Sequence, residues 1–269
     1  MRIVAARQGL AWLNSGWGLF RHSPMAWLAL VSLYWFLVAL LNQVPFVGPV
    51  LATICLPAFS MSFMNVSVEV EAGRQPTLSL LWSGFKQRPA TLVTLGGLYL
   101  LAVLASLGAS ALVDGGALFH WIVSGDAPPE AVIRDGDLAR ALLVAGAVGM
   151  PVLMAYWFSP VLAAWRGMGA LQSLFYSFFA SLRNWRAFLL YGAALAVIGM
   201  LMSVGLLILA ILFGGNPPIL RGIMLGLTMI MLPAVFASFY FGYRDVFPDD
   251  ADIATSLAAD PGPMPGSEI

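Results

Sequence analysis

The chain has 269 residues, 60% of them hydrophobic and only 10% charged, with a mean hydropathy of +0.88. Soluble domains carry about a quarter charged residues, so a chain this apolar cannot persist in water as a folded globule. The formal net charge is zero, which leaves no basic excess to neutralise nucleic-acid phosphates, and the single cysteine, Cys55, excludes an internal disulfide and a Cys-based metal cluster.

In chain order, Ile3, Ala6, Leu10, Leu13, Trp17 and Phe20 repeat at helical spacing, with Arg2, Arg7, Gln8, Asn14 and Arg21 off the stripe. This segment is too polar to span a bilayer and is expected to lie at its surface with the aromatic face in the acyl boundary. No small-residue cleavage site follows, so the first span is expected to be retained. His22-Ser23-Pro24 turns the chain into a span at 25–41, long enough for about 30 Å of hydrocarbon. The break NQVPFVGP leads to a second span at 50–68, bounded by Glu69, Glu71 and Arg74.

Leu78, Leu81, Trp82 and Phe85 form a second, shorter amphipathic stripe before a third span at 90–113. The acid-, Gly- and Pro-rich stretch from Asp114 to Asp137 reads as a polar connection. A fourth span covers 138–164. Leu171, Leu174, Phe175, Phe178, Phe179 and Leu182 then make the third stripe, and spans at 187–213 and 219–241 flank the turn GGNPP. Residues 1–244 are thus expected to form one all-α transmembrane domain. The Pro- and Gly-rich acidic segment 245–269 reads as a disordered cytoplasmic tail.

The pattern is threefold. WGLFRHSPMAWLALVSLY (17–34), WSGFKQRPATLVTLGGLY (82–99) and FASLRNWRAFLLYGAALA (179–196) align without gaps. Trp17, Trp82 and Phe179 coincide as interfacial anchors, and Arg21, Lys86 and Arg183 as cytoplasmic basic positions. The returning span of each unit carries a proline, at Pro57, Pro160 and Pro233, where a missing N–H can kink the helix. The expected architecture is therefore six transmembrane helices plus three interfacial amphipathic helices, arranged as three parallel repeats. Arg2, Arg7, Arg21, Arg74, Lys86, Arg88, Arg166, Arg183, Arg186 and Arg244 fall on one side of these spans and only Arg134, Arg140 and Arg221 on the other. The positive-inside rule then puts both termini in the cytoplasm.

No Asp, Glu, Lys or Arg lies near the middle of a span, which argues against a proton-coupled carrier, a pump or an intramembrane Asp protease. Thr53, Ser60, Ser62 and Asn65 offer neutral polar groups, read first as helix-packing donors. His22 aligns with Gln87 and Asn184, a capping position rather than a metal ligand, and His120 has too few neighbouring ligands for a metal site. The 13 methionines lack a ligand spacing and read as packing. Trp12, Trp17, Trp82, Trp121, Trp157, Trp165 and Trp185 are expected to form an interfacial belt. Nothing supplies a nucleophile or a paired acid and base, so no catalytic, cofactor-binding or metal-binding residue is assigned and a non-enzymatic role is expected.

The opening WLNSGWGLFRHSP and the block SPVLAAWRGMGALQSLFYSFFASLRNWRAFLLY at 159–191 resemble a family of proteobacterial multi-pass inner-membrane proteins of unknown function. The resemblance covers most of residues 8–245. It implies an inner-membrane location and several spans, and brings no activity or site residues. A fainter similarity is to the membrane domains that accompany some glycerophosphodiester phosphodiesterases; their soluble catalytic domain has no counterpart in these 269 residues, so no activity is expected from that similarity. Two roles fit these readings. One is binding or transport of lipid or small neutral molecules. The other is a scaffold subunit that docks a membrane-protein partner or a second copy of itself.

Overall fold

The structure, a computed structural model, describes residues 1–125, 127–212 and 216–248. Its helices are α1 (Gln8–His22), α2 (Pro24–Leu41), α3 (Val47–Glu71), α4 (Pro89–Asp114), α5 (Ala117–Ser124), α6 (Glu130–Arg134), α7 (Asp137–Tyr156), α8 (Ser159–Trp165), α9 (Ala170–Arg183), α10 (Trp185–Leu212) and α11 (Pro217–Val246). No strand occurs among the described residues. Among the described residues six helical segments are long and apolar enough to cross a membrane: α2, α3, α4, α7 continued by α8, α10 and α11. The chain is an all-α, multi-pass membrane protein.

Proline and glycine set most of the boundaries. Pro24 and Pro89 occupy the first turns of α2 and α4, where a missing N–H costs nothing. Gly115 and Gly116 adopt the left-handed conformation that ends α4 and starts α5. The Asp114 carboxylate accepts from the backbone N–H groups of Gly116 (2.9 Å) and Leu118 (2.7 Å), so an acid within the 114–137 connection serves as a turn and cap.

Several expectations change. The 114–137 polar connection holds two short helices, α5 and α6. The second amphipathic segment is not an α-helix but two 3-10 turns, Leu78–Trp82 and Gly84–Lys86. The fourth span breaks at Trp157–Phe158, which puts Pro160 in the first turn of α8 instead of inside a continuous helix. Helix α11 runs past the expected tail start at Asp245, and Val246 and Phe247 are fully buried. Asp126, Phe213, the Gly214–Gly215 part of the last turn and the tail from Asp249 onward lie outside the described residues.

The core occupies one end of the bundle. It joins the first halves of α2 and α10 (Trp27, Leu30, Val31, Ala187, Tyr191) to the second halves of α3 and α11 (Met61, Phe63, Val66, Ala237, Tyr240, Tyr243) and to Leu162 and Ala163 of α8. The opposite halves of these spans leave large apolar residues such as Phe36, Leu40, Leu207, Ile211 and Met224 uncovered by protein. In a bilayer those surfaces face acyl chains at no hydrophobic cost. The two spans of the last hairpin, α10 and α11, touch each other little.

The three units interlock in a ring. The 3-10 turns of the second unit pack on α3 of the first, α9 of the third packs on α7 and α8 of the second, and α1 of the first packs on α11 of the third. Each amphipathic segment thus covers the proline-bearing span of the preceding unit. Two of these contacts, those of α1 and of the 3-10 turns, share a geometry: a Cβ on Gly16 would lie 2.7 Å from the Ser238 nitrogen and closer still to the Ala234 carbonyl, and a Cβ on Gly84 would lie 2.9 Å from the Ser62 nitrogen and closer still to the Ala58 carbonyl. In both, a Pro-Ala-x-x-x-Ser stretch (57–62 and 233–238) receives the glycine. Only glycine lets two backbones approach this closely.

Candidate functional site: an aromatic cavity among the proline-bearing spans

In the third unit, serines replace the glycine contact. Helix α9 buries Ser173, Ser177, Ala180 and Ser181 and turns Leu171, Phe175, Phe179 and Leu182 outward. At the break before Pro160, the Phe158 N–H donates to Ser177 Oγ (2.9 Å) instead of to Met154 O. The Met154 carbonyl accepts from Ser177 Oγ (2.9 Å) and Ser181 Oγ (3.1 Å). Two hydroxyls thus insert into the helical ladder and satisfy the groups that the break frees.

This break aims Tyr156 and Trp157 into the bundle, where Tyr156 meets Tyr99 of α4 and Trp157 meets Phe188 of α10 and Phe239 of α11. The result is a cavity of about 190 Å³, lined by Pro57 and Pro160 and by residues of α2, α3, α4, α7 and α11. Its walls are rings. Phe63 and Phe236 stack at 4.2 Å, and Tyr34 sets its edge against Phe59 (5.1 Å) and Phe63 (5.6 Å). Tyr99 meets Tyr156 edge-on at 5.0 Å, and Trp157 meets Phe239 at 4.9 Å. Among the described residues no charged side chain lines it; the lining residues with polar groups are Tyr34, Ser60, Tyr99 and Tyr156, which carry hydroxyls, and Trp157, which carries an indole N–H. The Tyr156 hydroxyl is buried with no hydrogen-bond partner among the described residues. The exposed lining residues, Leu56 and Leu153, mark the mouth.

The volume limits what can enter. An apolar cavity of about 150 Å³ stays dry and binds benzene, whereas sites for drug-sized ligands run from about 300 to 1,000 Å³. Here a single ring or a stretch of one chain fits, and a whole drug-sized molecule does not. Tyr34 and Tyr99 each lie ten residues into their helices, α2 and α4. At 1.5 Å per residue that is about 15 Å of depth, close to the middle of a bilayer core of about 30 Å.

Of the residues singled out from the sequence, the cavity gathers Pro57 and Pro160, while Pro233 is buried one turn before Phe236. The remainder sit elsewhere. Arg21, Lys86 and Arg183 are exposed at the ends of the amphipathic segments. Trp17 is half-buried against Phe20, whereas Trp82 and Phe179 are 45% and 39% exposed. Two tryptophans leave the expected belt: Trp12 is buried at 2% exposure and Trp157 lines the cavity. The stripe expected to carry α1 also turns, since Gly9, Trp12, Gly16, Leu19 and Phe20 face the protein while Ile3 and Leu10 are exposed. The tyrosines of the wall were not singled out, although Tyr34 and Tyr99 close the first two copies of the repeat at the same position.

Polar groups fasten the end that holds α1 and the last turns of α11. The Asp245 carboxylate accepts from Gln8 Nε2 and Trp12 Nε1, both at 2.7 Å. Arg244 pairs with Glu71, which also accepts from the Tyr240 hydroxyl at 2.5 Å. His22 and Asn184, the aligned capping positions, contact the carbonyls of Gly18 (2.8 Å) and Ala180 (2.9 Å) at the ends of α1 and α9. Asn184 also accepts from the Val4 N–H at 2.8 Å. Among the described residues no three His, Cys, Asp or Glu side chains come together as a metal-ligand group.

Comparison with known proteins returns a probable inner membrane protein of Burkholderia thailandensis, 32% identical over 251 residues that cover 91% of this chain and 92% of the relative. No family model matches the chain, and no solved structure matches it.

Proposed function

The chain belongs to the same family as this probable inner membrane protein, and from that premise we propose that it is a non-enzymatic component that binds or moves lipid or small neutral molecules within the bilayer. The observation that carries this reading is the ring-walled, charge-free cavity among the three proline-bearing spans. Its place where repeat units meet, near mid-membrane by helix length, matches where transporters of repeated architecture hold their cargo. Both termini are proposed to be cytoplasmic, on the strength of ten cations at their end of the bundle against three at the other.

A second reading, as a scaffold subunit, is favoured by the outward aromatic face of α9, where Leu171, Phe175 and Phe179 are exposed. One experiment separates the two. The protein is extracted mildly from its native membrane and everything that remains bound is identified by mass spectrometry. A defined apolar molecule that is lost when Ser60→Phe fills the cavity supports binding or transport. A stoichiometric protein partner that Ser60→Phe leaves in place supports the scaffold. Retention of neither sinks both readings.

A further inference from the structure

Building on the binding role above, we propose that the cavity receives the carbonyl-bearing ring of a neutral, lipid-soluble molecule of the quinone class, with the Tyr156 hydroxyl donating to a ring carbonyl. Three observations converge on that chemistry. First, about 190 Å³ exceeds the size that holds benzene, yet falls short of any bulky head group. Second, the walls present ring faces and edges, with Phe63 stacked on Phe236 and Tyr34 edge-on to Phe59, so a flat ring gains stacking or edge contacts that a saturated chain does not.

Third, the hydroxyl of the lining residue Tyr156 is buried without a partner among the described residues, although the hydroxyls of Ser177 and Ser181 both donate to the nearby Met154 carbonyl. An unpaired hydroxyl in hydrocarbon is costly, and an acceptor brought by the ligand would remove that cost. The acceptor must reach the middle of the bilayer. The ester carbonyls of a phospholipid stay at the head-group boundary, about 15 Å away, so they do not qualify. A molecule that dissolves whole in the acyl region and carries its own carbonyl does. The absence of charged side chains from the wall fits a neutral ligand and would penalise a carboxylate. Entry is lateral, between the exposed Leu56 of α3 and Leu153 of α7.

The test uses the full chain in lipid nanodiscs with two probes of equal tail, decylbenzoquinone and decylbenzene, each corrected for partitioning into empty nanodiscs. Wild type is expected to bind the benzoquinone saturably. Tyr156→Phe keeps the ring and removes the donor, and should weaken benzoquinone binding about 3- to 10-fold while leaving decylbenzene unchanged. Leu56→Trp at the mouth, where 37% exposure tolerates bulk, should abolish saturable binding of both; Ser60→Phe is the second blocking variant if Leu56→Trp does not fold. Unchanged benzoquinone affinity in Tyr156→Phe, with binding lost in the blocked variant, overturns the hydroxyl–carbonyl assignment but leaves an apolar binding site. Saturable binding of neither probe to wild type, or binding indifferent to blocking, overturns both this inference and the binding role.

Discussion

The ring of units can be tested at its closing contact with two alanines placed two residues apart. Gly16 lies against the backbone of α11, whereas a Cβ on Gly18 would meet nothing within 4 Å. In Gly16→Ala the new methyl would sit 2.7 Å from the Ser238 nitrogen, where ordinary contact begins near 3.4 Å, so α1 must lift by at least 0.7 Å. A rigid lift of that size stretches the Trp12–Asp245 hydrogen bond from 2.7 to about 3.4 Å, beyond good geometry. Overpacking costs about 1–3 kcal/mol, and a hydrogen bond to a charged group adds about 1.5–3 kcal/mol. The expected loss is therefore about 3 kcal/mol or more. Gly18→Ala should instead gain up to about 1 kcal/mol, because alanine favours the helix. Unfolding midpoints of both variants in the same detergent provide the measurement. If Gly16→Ala is as stable as Gly18→Ala, α1 does not dock on α11 as described.

Two further outcomes are expected. Ser177→Ala should cost about 1–3 kcal/mol and speed amide exchange at Phe158 more than at residues of α10, since its N–H loses its acceptor; adding Ser181→Ala should cost less than the sum of the two single losses, because both serines serve the Met154 carbonyl. In a Cys55→Ala background, a cysteine at Arg21 should react with an impermeant thiol reagent only in inverted vesicles and one at Ala131 only in intact cells; the reverse pattern would refute the cytoplasmic placement of the termini.

The spans were legible because each is a run of apolar residues of membrane length, a signal that hydropathy carries directly. The outward face of α9 was legible too, since Leu171, Phe175 and Phe179 mark it by size. The inward faces were not. Gly9, Gly16 and Gly84, and the serines of α9, have small side chains that look like filler, yet they carry the closest backbone approaches and the hydrogen bonds that mend the broken span. Pro160 announced a disturbance, but its position within a break rather than a kink depends on Ser177, 17 residues away. Asp245 looked like the start of a solvated tail. Its partners, Gln8 and Trp12, lie more than 230 positions away, so nothing local could have held it in the fold. The cavity was the least visible feature, since it needs rings from helices in all three units.

The division of the bundle into a packed end and a loose end bears on how the cavity can be reached. At the packed end, the core residues of α3, α8 and α11 are locked by close backbone contacts and by the Glu71–Arg244 and Asp245–Trp12 fastenings. At the other end, α10 barely touches α11, and long apolar side chains face outward. Parting two helices there exchanges protein contacts for acyl-chain contacts, which are about as apolar, so the free-energy change is small. Parting them at the packed end would break charge-assisted hydrogen bonds. The cavity sits at the boundary between these regimes, with Pro57 and Pro160 in its wall. The missing N–H of Pro57 weakens the helical ladder of α3, and the ladder between α7 and α8 is already interrupted before Pro160, so bending concentrates at that level. A ring can therefore enter by local separation of the loose ends while the packed end stays closed.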